Sequence, residues 1–175
     1  MLGLLIATLA LAPAQATSHT GRLTFSAPSG WHTRPSASSM RVAEFVIPKA
    51  SGDAEDAEAI VYYFGGQGGS AAANIARWIG QMQQPGGKQS EEVARRETRM
   101  VNGLKVTLVD VSGTYVAEMR PGAAEHYNRP RYRLRAAVIE TPAGPYFLKM
   151  TGPAQTVAAA TRGFDQFLAS LHFMS

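Results

Sequence analysis

The alternation of apolar and polar residues predicts a protein built mainly of β-strands. Runs that alternate, or that are rich in β-branched residues, predict seven strands, at 22–26, 39–48, 59–64, 91–100, 105–111, 129–138 and 146–150. An Asn-Gly pair, Asn102 and Gly103, lies between two of these runs and favours a tight hairpin turn. The pattern therefore predicts an antiparallel sheet.

Two segments with a longer apolar period predict helices. A turn at 65–69 contains four glycines, and Ser70 follows as a suitable N-cap before apolar residues at helical spacing: Ile75, Trp78, Ile79 and Met82. A second helix is predicted to open at 151–153, with an apolar stripe from Val157 to Leu171. Three strands, a helix, four strands and a helix give an α+β fold, an antiparallel β-sheet of about six or seven strands layered with two long helices.

The N-terminal pattern predicts export. Residues 2–11 are uncharged and apolar, and Pro13 and an Ala-Gln-Ala sequence at 14–16 follow them. We interpret 1–16 as a signal peptide and 17–175 as a single α+β domain, although the usual Lys or Arg before the apolar run is missing. The run is too short for a membrane anchor, so we expect a periplasmic or extracellular protein with no membrane span after cleavage.

The amino-acid composition excludes several kinds of site and partner. There is no cysteine, which excludes disulfides, thiolate metal sites and cysteine nucleophiles. The net charge of +4 is mild for 175 residues, and no RNA- or DNA-binding motif is present, so no nucleic-acid partner is expected.

No recognised catalytic motif accompanies these features. The glycine-rich turn lacks the lysine of a phosphate-binding loop, and we interpret it as a structural hinge. The histidines lie far apart, at positions 19, 32, 126 and 172, and the acidic segment 49–58 lacks the calcium-loop pattern. We therefore expect no metal, no cofactor and no catalytic residue, with a hydrolase of hidden geometry as a distant alternative.

The clearest charge pattern lies near residue 130. Four arginines recur at every second position, and a regular strand would place them on one face: Arg129, Arg131, Arg133 and Arg135. The preceding loop, 112–130, adds His126 and Tyr127. These six side chains are the candidate ligand-binding set, suited to a small anion. The alternative is an ordinary solvated sheet face.

Asp110 stands out on the strand before that loop. It shares a face with apolar residues, and we interpret it as a structurally satisfied carboxylate rather than as a catalytic acid, because no base lies near it in the sequence.

The two ends of the chain suggest a family. The opening LTFSAPSGW and the ending FDQFLASLHF resemble the corresponding ends of the Mog1/PsbP/DcrB-like superfamily. In that superfamily the domain is a binding and assembly module, shared by photosystem accessory subunits, a Ran-binding nuclear factor and exported bacterial proteins. The resemblance implies no catalytic residues, and this chain lacks the acylated cysteine of the lipoprotein members.

Together these features predict an exported, non-enzymatic binding or assembly domain that engages a protein partner in the bacterial envelope. A small-anion-binding protein that uses the arginine face is the alternative.

Overall fold

The computed structural model describes residues 22–175. The predicted signal peptide, 1–16, lies outside the described residues. The strands are β1 (Arg22–Thr24), β2 (His32–Arg34), β3 (Arg41–Ile47), β4 (Ala57–Tyr63), β5 (Met82–Gln83), β6 (Arg95–Val101), β7 (Leu104–Tyr115), β8 (Arg129–Glu140), β9 (Tyr146–Pro153) and β10 (His172–Met174). The helices are α1 (Ala71–Gly80), α2 (Ser90–Val93), α3 (Ala154–Ala159) and α4 (Thr161–Ala169), with a 3-10 turn at Pro85–Gly87.

Within residues 22–175, eight strands form one antiparallel sheet. Its order is β2-β3-β4-β9-β8-β7-β5, and β6 pairs with β7 on the same side as β5. The long strands β7, β8 and β9 are its centre, and β1 pairs with β10 in a separate two-stranded sheet. The predicted antiparallel α+β class is confirmed.

Helices cover both faces of the large sheet. On one face α1 packs through Ile75, Trp78 and Ile79 against residues of β7 and β8. On the other face α3 and α4 pack against alternate residues of the same strands, with Phe164 and Leu168 fully buried. Alternation along the strands thus supplies two cores separated by the sheet.

Local sequence signals explain how α1 and one hairpin form. The side chain of Ser70 accepts a hydrogen bond from Ala73 N at 3.2 Å, as expected of an N-cap. Asn102 and Gly103 both have positive φ angles, 48° and 80°, as a type I′ turn requires between β6 and β7.

The strand count and the two long helices need correction. Within residues 22–175 the large sheet has eight strands rather than six or seven, because β2 and β5 are too short to show an alternating pattern, while the predicted first strand lies in the separate sheet with β10. The second predicted helix is two helices that meet at Ala160. Its apolar stripe continues across this joint, but the Thr161 hydroxyl bonds to Val157 O at 3.2 Å and Gly163 is a weak helix former, both of which disfavour a continuous helix.

The predicted opening of that helix is also wrong. Residues 151–153 end β9, where Thr151 and Gly152 pair with Leu134 and Arg133 of β8. Ladder hydrogen bonds on a central strand outweigh the preference of proline for a first helical turn, and α3 begins only after Pro153.

Candidate functional site: a tyrosine surface around Lys149

The four alternating arginines, Arg129, Arg131, Arg133 and Arg135, form what we call the arginine row. A β-bulge divides this row between the two faces of the sheet. Tyr132 pairs with Gly113 and Arg129 pairs with Tyr115, so three steps on β8 match two on β7. Arg131 lies in this bulge with a φ angle of 58°. The extra residue reverses the alternation, so the prediction of one arginine face is wrong.

Arg133 and Arg135 lie on the α4 side in an ion-pair network. Arg133 donates from Nε and Nη2 to the two carboxylate oxygens of Asp110 at 2.7 and 2.6 Å. Arg135 donates to Asp110 at 2.7 Å and to Asp165 of α4 at 2.9 Å, and Arg99 also reaches Asp165. Burial acts to raise the pKa of Asp110, but the two guanidinium groups lower it overall. Asp110 is structurally satisfied, as expected.

Arg129 and Tyr127 join an aromatic cluster on the α1 side. The Tyr115 ring stacks against the rings of Tyr127 and Tyr132, with centroid distances of 5.6 and 5.9 Å. The guanidinium of Arg129 lies 5.7 Å from the Tyr127 ring centroid. Arg129 also donates to Glu55 at 2.5 Å. Ring stacking, a cation–π contact and an ion pair therefore fix these side chains.

Lys149 lies beside this cluster, on the same face of β9. Its Nζ donates to Gln81 Oε1 at 2.7 Å and to the Tyr115 hydroxyl at 3.0 Å. Gln81 caps the C-terminus of α1, and its carbonyl oxygen accepts from Val116 N at 2.9 Å. One lysine thus ties together the end of α1, the end of β7 and the centre of the sheet. We refer to the whole group as the tyrosine surface: Glu55, Tyr115, Tyr127, Arg129, Tyr132 and Lys149.

Burial shifts the proton equilibria of this surface. Desolvation lowers the pKa of Lys149 to about 8. Burial raises the pKa of Tyr115, and burial together with the influence of the Glu55 carboxylate raises the pKa of Tyr132 to about 12. The Tyr132 hydroxyl in turn lowers the pKa of Glu55. At neutral pH Tyr115 and Tyr132 are therefore neutral, while Lys149 titrates just above neutrality.

The structure divides the predicted site residues among four places. Arg129 and Tyr127 belong to the tyrosine surface, and Arg133 and Arg135 to the opposite face. Arg131 is exposed at the bulge. His126 is exposed in the loop between β7 and β8, with Nδ1 2.8 Å from Val116 O.

Sequence reasoning missed Lys149 and Glu55 as members of the site. The signal for Lys149 was a single cation in the apolar run Tyr146–Met150. Nothing marked Glu55, because its partner Arg129 is 74 residues away.

Ser70, Ser112 and His172 each make local structural contacts. Ser70 caps α1, and the carbonyl oxygen of Ser112 accepts from Gln84 at 2.8 Å. His172 Nδ1 lies 3.0 Å from Ser170 O. Within residues 22–175, His, Asp and Glu side chains nowhere form a group of three that could hold a metal ion. In the same range, no helix is long and apolar enough to span a membrane.

Comparisons with known proteins find similarity in structure only. No protein-family model and no curated protein matches the chain. LpqN of Mycobacterium tuberculosis, a protein involved in cell envelope biogenesis, matches with a TM-score of 0.53 and 11% identity over 91% of this chain and 88% of its own. This likeness shows a shared fold.

Two further solved structures match less well. The cyanobacterial PsbP of Synechocystis sp. PCC 6803 covers 94% of this chain and 99% of its own, with a TM-score of 0.48 and 12% identity. PA94 of Pseudomonas aeruginosa, a protein of unknown function, covers 81% and 96%, with a TM-score of 0.49 and 16% identity. The solved structures that resemble this chain thus include a cell-envelope protein and a PsbP protein.

Proposed function

We propose that this chain is an exported, non-enzymatic domain that binds a protein partner in the bacterial envelope through the tyrosine surface. The observation that carries the proposal is the fixed group of tyrosines with Arg129, which lies beyond the C-terminal end of α1.

The composition of the surface suits protein recognition. Tyrosine and arginine are enriched at protein interfaces and at the positions that contribute most to binding. Tyr127 and Tyr132 are partly exposed, and the Arg129 side chain is 44% exposed, so a partner can reach them. Stacking and the bond to Glu55 already hold these groups in place, which reduces the entropy that binding must remove.

Two further observations support an envelope location. The apolar N-terminal segment predicts export. LpqN, which shares the fold, is involved in cell envelope biogenesis. Periplasmic and extracellular locations are both consistent with export.

The small-anion alternative receives less support from the geometry. Asp110 and Asp165 already occupy the guanidinium groups of Arg133 and Arg135, and the bulge turns Arg129 to the other face. An anion would have to compete with these carboxylates at a partly buried site.

Affinity capture with matched variants tests the proposal. The tagged chain is incubated with an envelope extract of its native organism, and bound proteins are quantified for wild type, Tyr127→Ala/Arg129→Ala and Arg162→Ala. Arg162 is exposed on α4, on the other side of the sheet. We expect one or a few proteins to bind wild type and the Arg162 variant alike, and the double variant to bind at least about 30-fold more weakly.

Circular dichroism and thermal unfolding confirm that the double variant is folded. If the same proteins bind all three forms equally, the tyrosine surface is not the interface. If nothing binds wild type reproducibly, the protein-binding function is wrong.

A further inference from the structure

An open cleft lies between the glycine-rich turn and the first turns of α1. Its volume is about 560 Å³, within the usual range for small-molecule sites. Its lining combines one aromatic ring, two glycines, one guanidinium group and small polar side chains: Phe64, Gln67, Gly68, Gly69, Ala73, Asn74 and Arg77.

Asn74 fixes the position of the only charged group in the lining. Asn74 is 6% exposed, and its Nδ2 donates to Gly68 O at 2.7 Å and to Ser70 O at 3.0 Å. Its Oδ1 then accepts from Nη2 of Arg77 at 2.8 Å. No carboxylate within residues 22–175 forms an ion pair with Arg77, so its other guanidinium donors are available to a ligand.

The aromatic ring of Phe64 lines the cleft together with Arg77. Phe64 stacks on Tyr62 with centroids 5.9 Å apart and ring planes within 10°. A Cβ atom at Gly68 would lie 2.3 Å from the ring of Phe147 and 3.1 Å from the ring of Phe64, so only glycine lets the turn lie against these rings. The cleft therefore offers a flat apolar surface next to an oriented guanidinium.

We propose that this cleft binds a carboxylate attached to an apolar group. Arg77 pairs with the carboxylate in the forked geometry that guanidinium groups favour, and the Phe64 ring contacts the apolar part. Either a free organic acid or the C-terminal residue of a peptide presents this chemistry. The cleft uses no residue of the tyrosine surface. A negative result for this site therefore does not bear on the protein-binding function, and the reverse is also true.

Titration followed by amide NMR tests the site. The probes are 3-phenylpropionate, 3-phenylpropionamide, and a tetrapeptide ending in phenylalanine with a free or an amidated C-terminus. They are added to wild type, Arg77→Gln and Arg162→Gln. The free carboxylates are expected to shift the amide signals of Gly68, Gly69 and Asn74, and each amide to bind at least about tenfold more weakly.

The variants test whether Arg77 supplies the positive charge that binds the carboxylate. Arg77→Gln is expected to lose at least about tenfold in affinity, because one charge-assisted pair is removed, while Arg162→Gln binds as wild type does. Tighter binding of the peptide than of phenylpropionate identifies a peptide terminus as the ligand, and the reverse identifies a free acid. Equal binding of acid and amide, unchanged affinity in Arg77→Gln, or no signal shift at about 10 mM, far weaker than ordinary sites, would overturn the proposal.

Discussion

Burial of Lys149 predicts that the protein becomes more stable as the pH rises above neutrality. The pKa of Lys149 is about 8, against its ordinary value of 10.5. Between these values the unfolded chain holds the lysine proton while the folded chain has released it, so stability rises with pH. Summing this linkage from pH 7 to pH 9.5 gives a gain of about 2 kcal/mol from Lys149 alone.

The assay compares three proteins at the two pH values. Urea unfolding is followed by the fluorescence of the buried residues Trp31 and Trp78, and the free energy of unfolding is obtained for wild type, Lys149→Met and Lys105→Met. Lys105 lies on β7 with its side chain 54% exposed, and it serves as the control for removing a surface lysine.

Other groups titrate in the same range, so the contribution of Lys149 is measured as the difference between the variant and wild type in how the unfolding free energy changes with pH. Lys149→Met should show a change in unfolding free energy between pH 7 and pH 9.5 that is about 2 kcal/mol less favourable than the wild-type change. Lys105→Met should follow wild type. If Lys149→Met follows wild type as well, the amine is not desolvated and its place in the tyrosine surface is wrong.

Two substitutions test the packing on either side of the sheet. Asp110→Asn leaves Arg133 and Arg135 without their shared carboxylate, and because the site is partly buried it should cost about 2 to 3 kcal/mol in urea unfolding at pH 7. A loss below about 0.5 kcal/mol, as at ordinary surface positions, would contradict this pairing. Gly68→Ala should lower stability by about 1 to 3 kcal/mol, because its new methyl group meets the buried Phe147 ring. An unchanged melting temperature would show that the ring can move away.

Several elements could be predicted from the sequence because they depend on residues close together in the chain. Ser70 as an N-cap and the Asn102-Gly103 turn each depend on residues within a few positions, and both are confirmed. The apolar stripe of the first helix is likewise local, and Trp78 and Ile79 are buried against the sheet as the period predicts.

The arginine row shows where alternation fails. The rule that every second side chain shares a face holds only while the ladder stays regular. Arg131, with its positive φ angle, interrupts the ladder opposite residues 113–115 of β7. The bulge depends on how two strands pair, and arginine does not favour a left-handed conformation, so alternation alone did not reveal it. The local signal was Pro130, because proline within a sheet is confined to edge strands, strand starts and bulges.

The site itself was only partly predictable, for a related reason. Tyr127 and Arg129 are two residues apart and were both candidates. Lys149 finds its partners Gln81 and Tyr115 at separations of 68 and 34 residues, and these contacts exist only once α1 and β7 have docked on β9. Pattern analysis can mark a lone cation on an apolar strand, but it cannot identify what surrounds that cation.

The central claim is that the tyrosine surface contacts a protein partner, and site-specific photocrosslinking in cells tests it most directly. A photoreactive phenylalanine derivative replaces Asn128, which is exposed between Tyr127 and Arg129, and in a second strain it replaces Arg162 on the opposite side of the sheet. The account predicts a discrete crosslinked product in the envelope fraction from position 128 and none from position 162. No product at 128, or the same product from both positions, would contradict it.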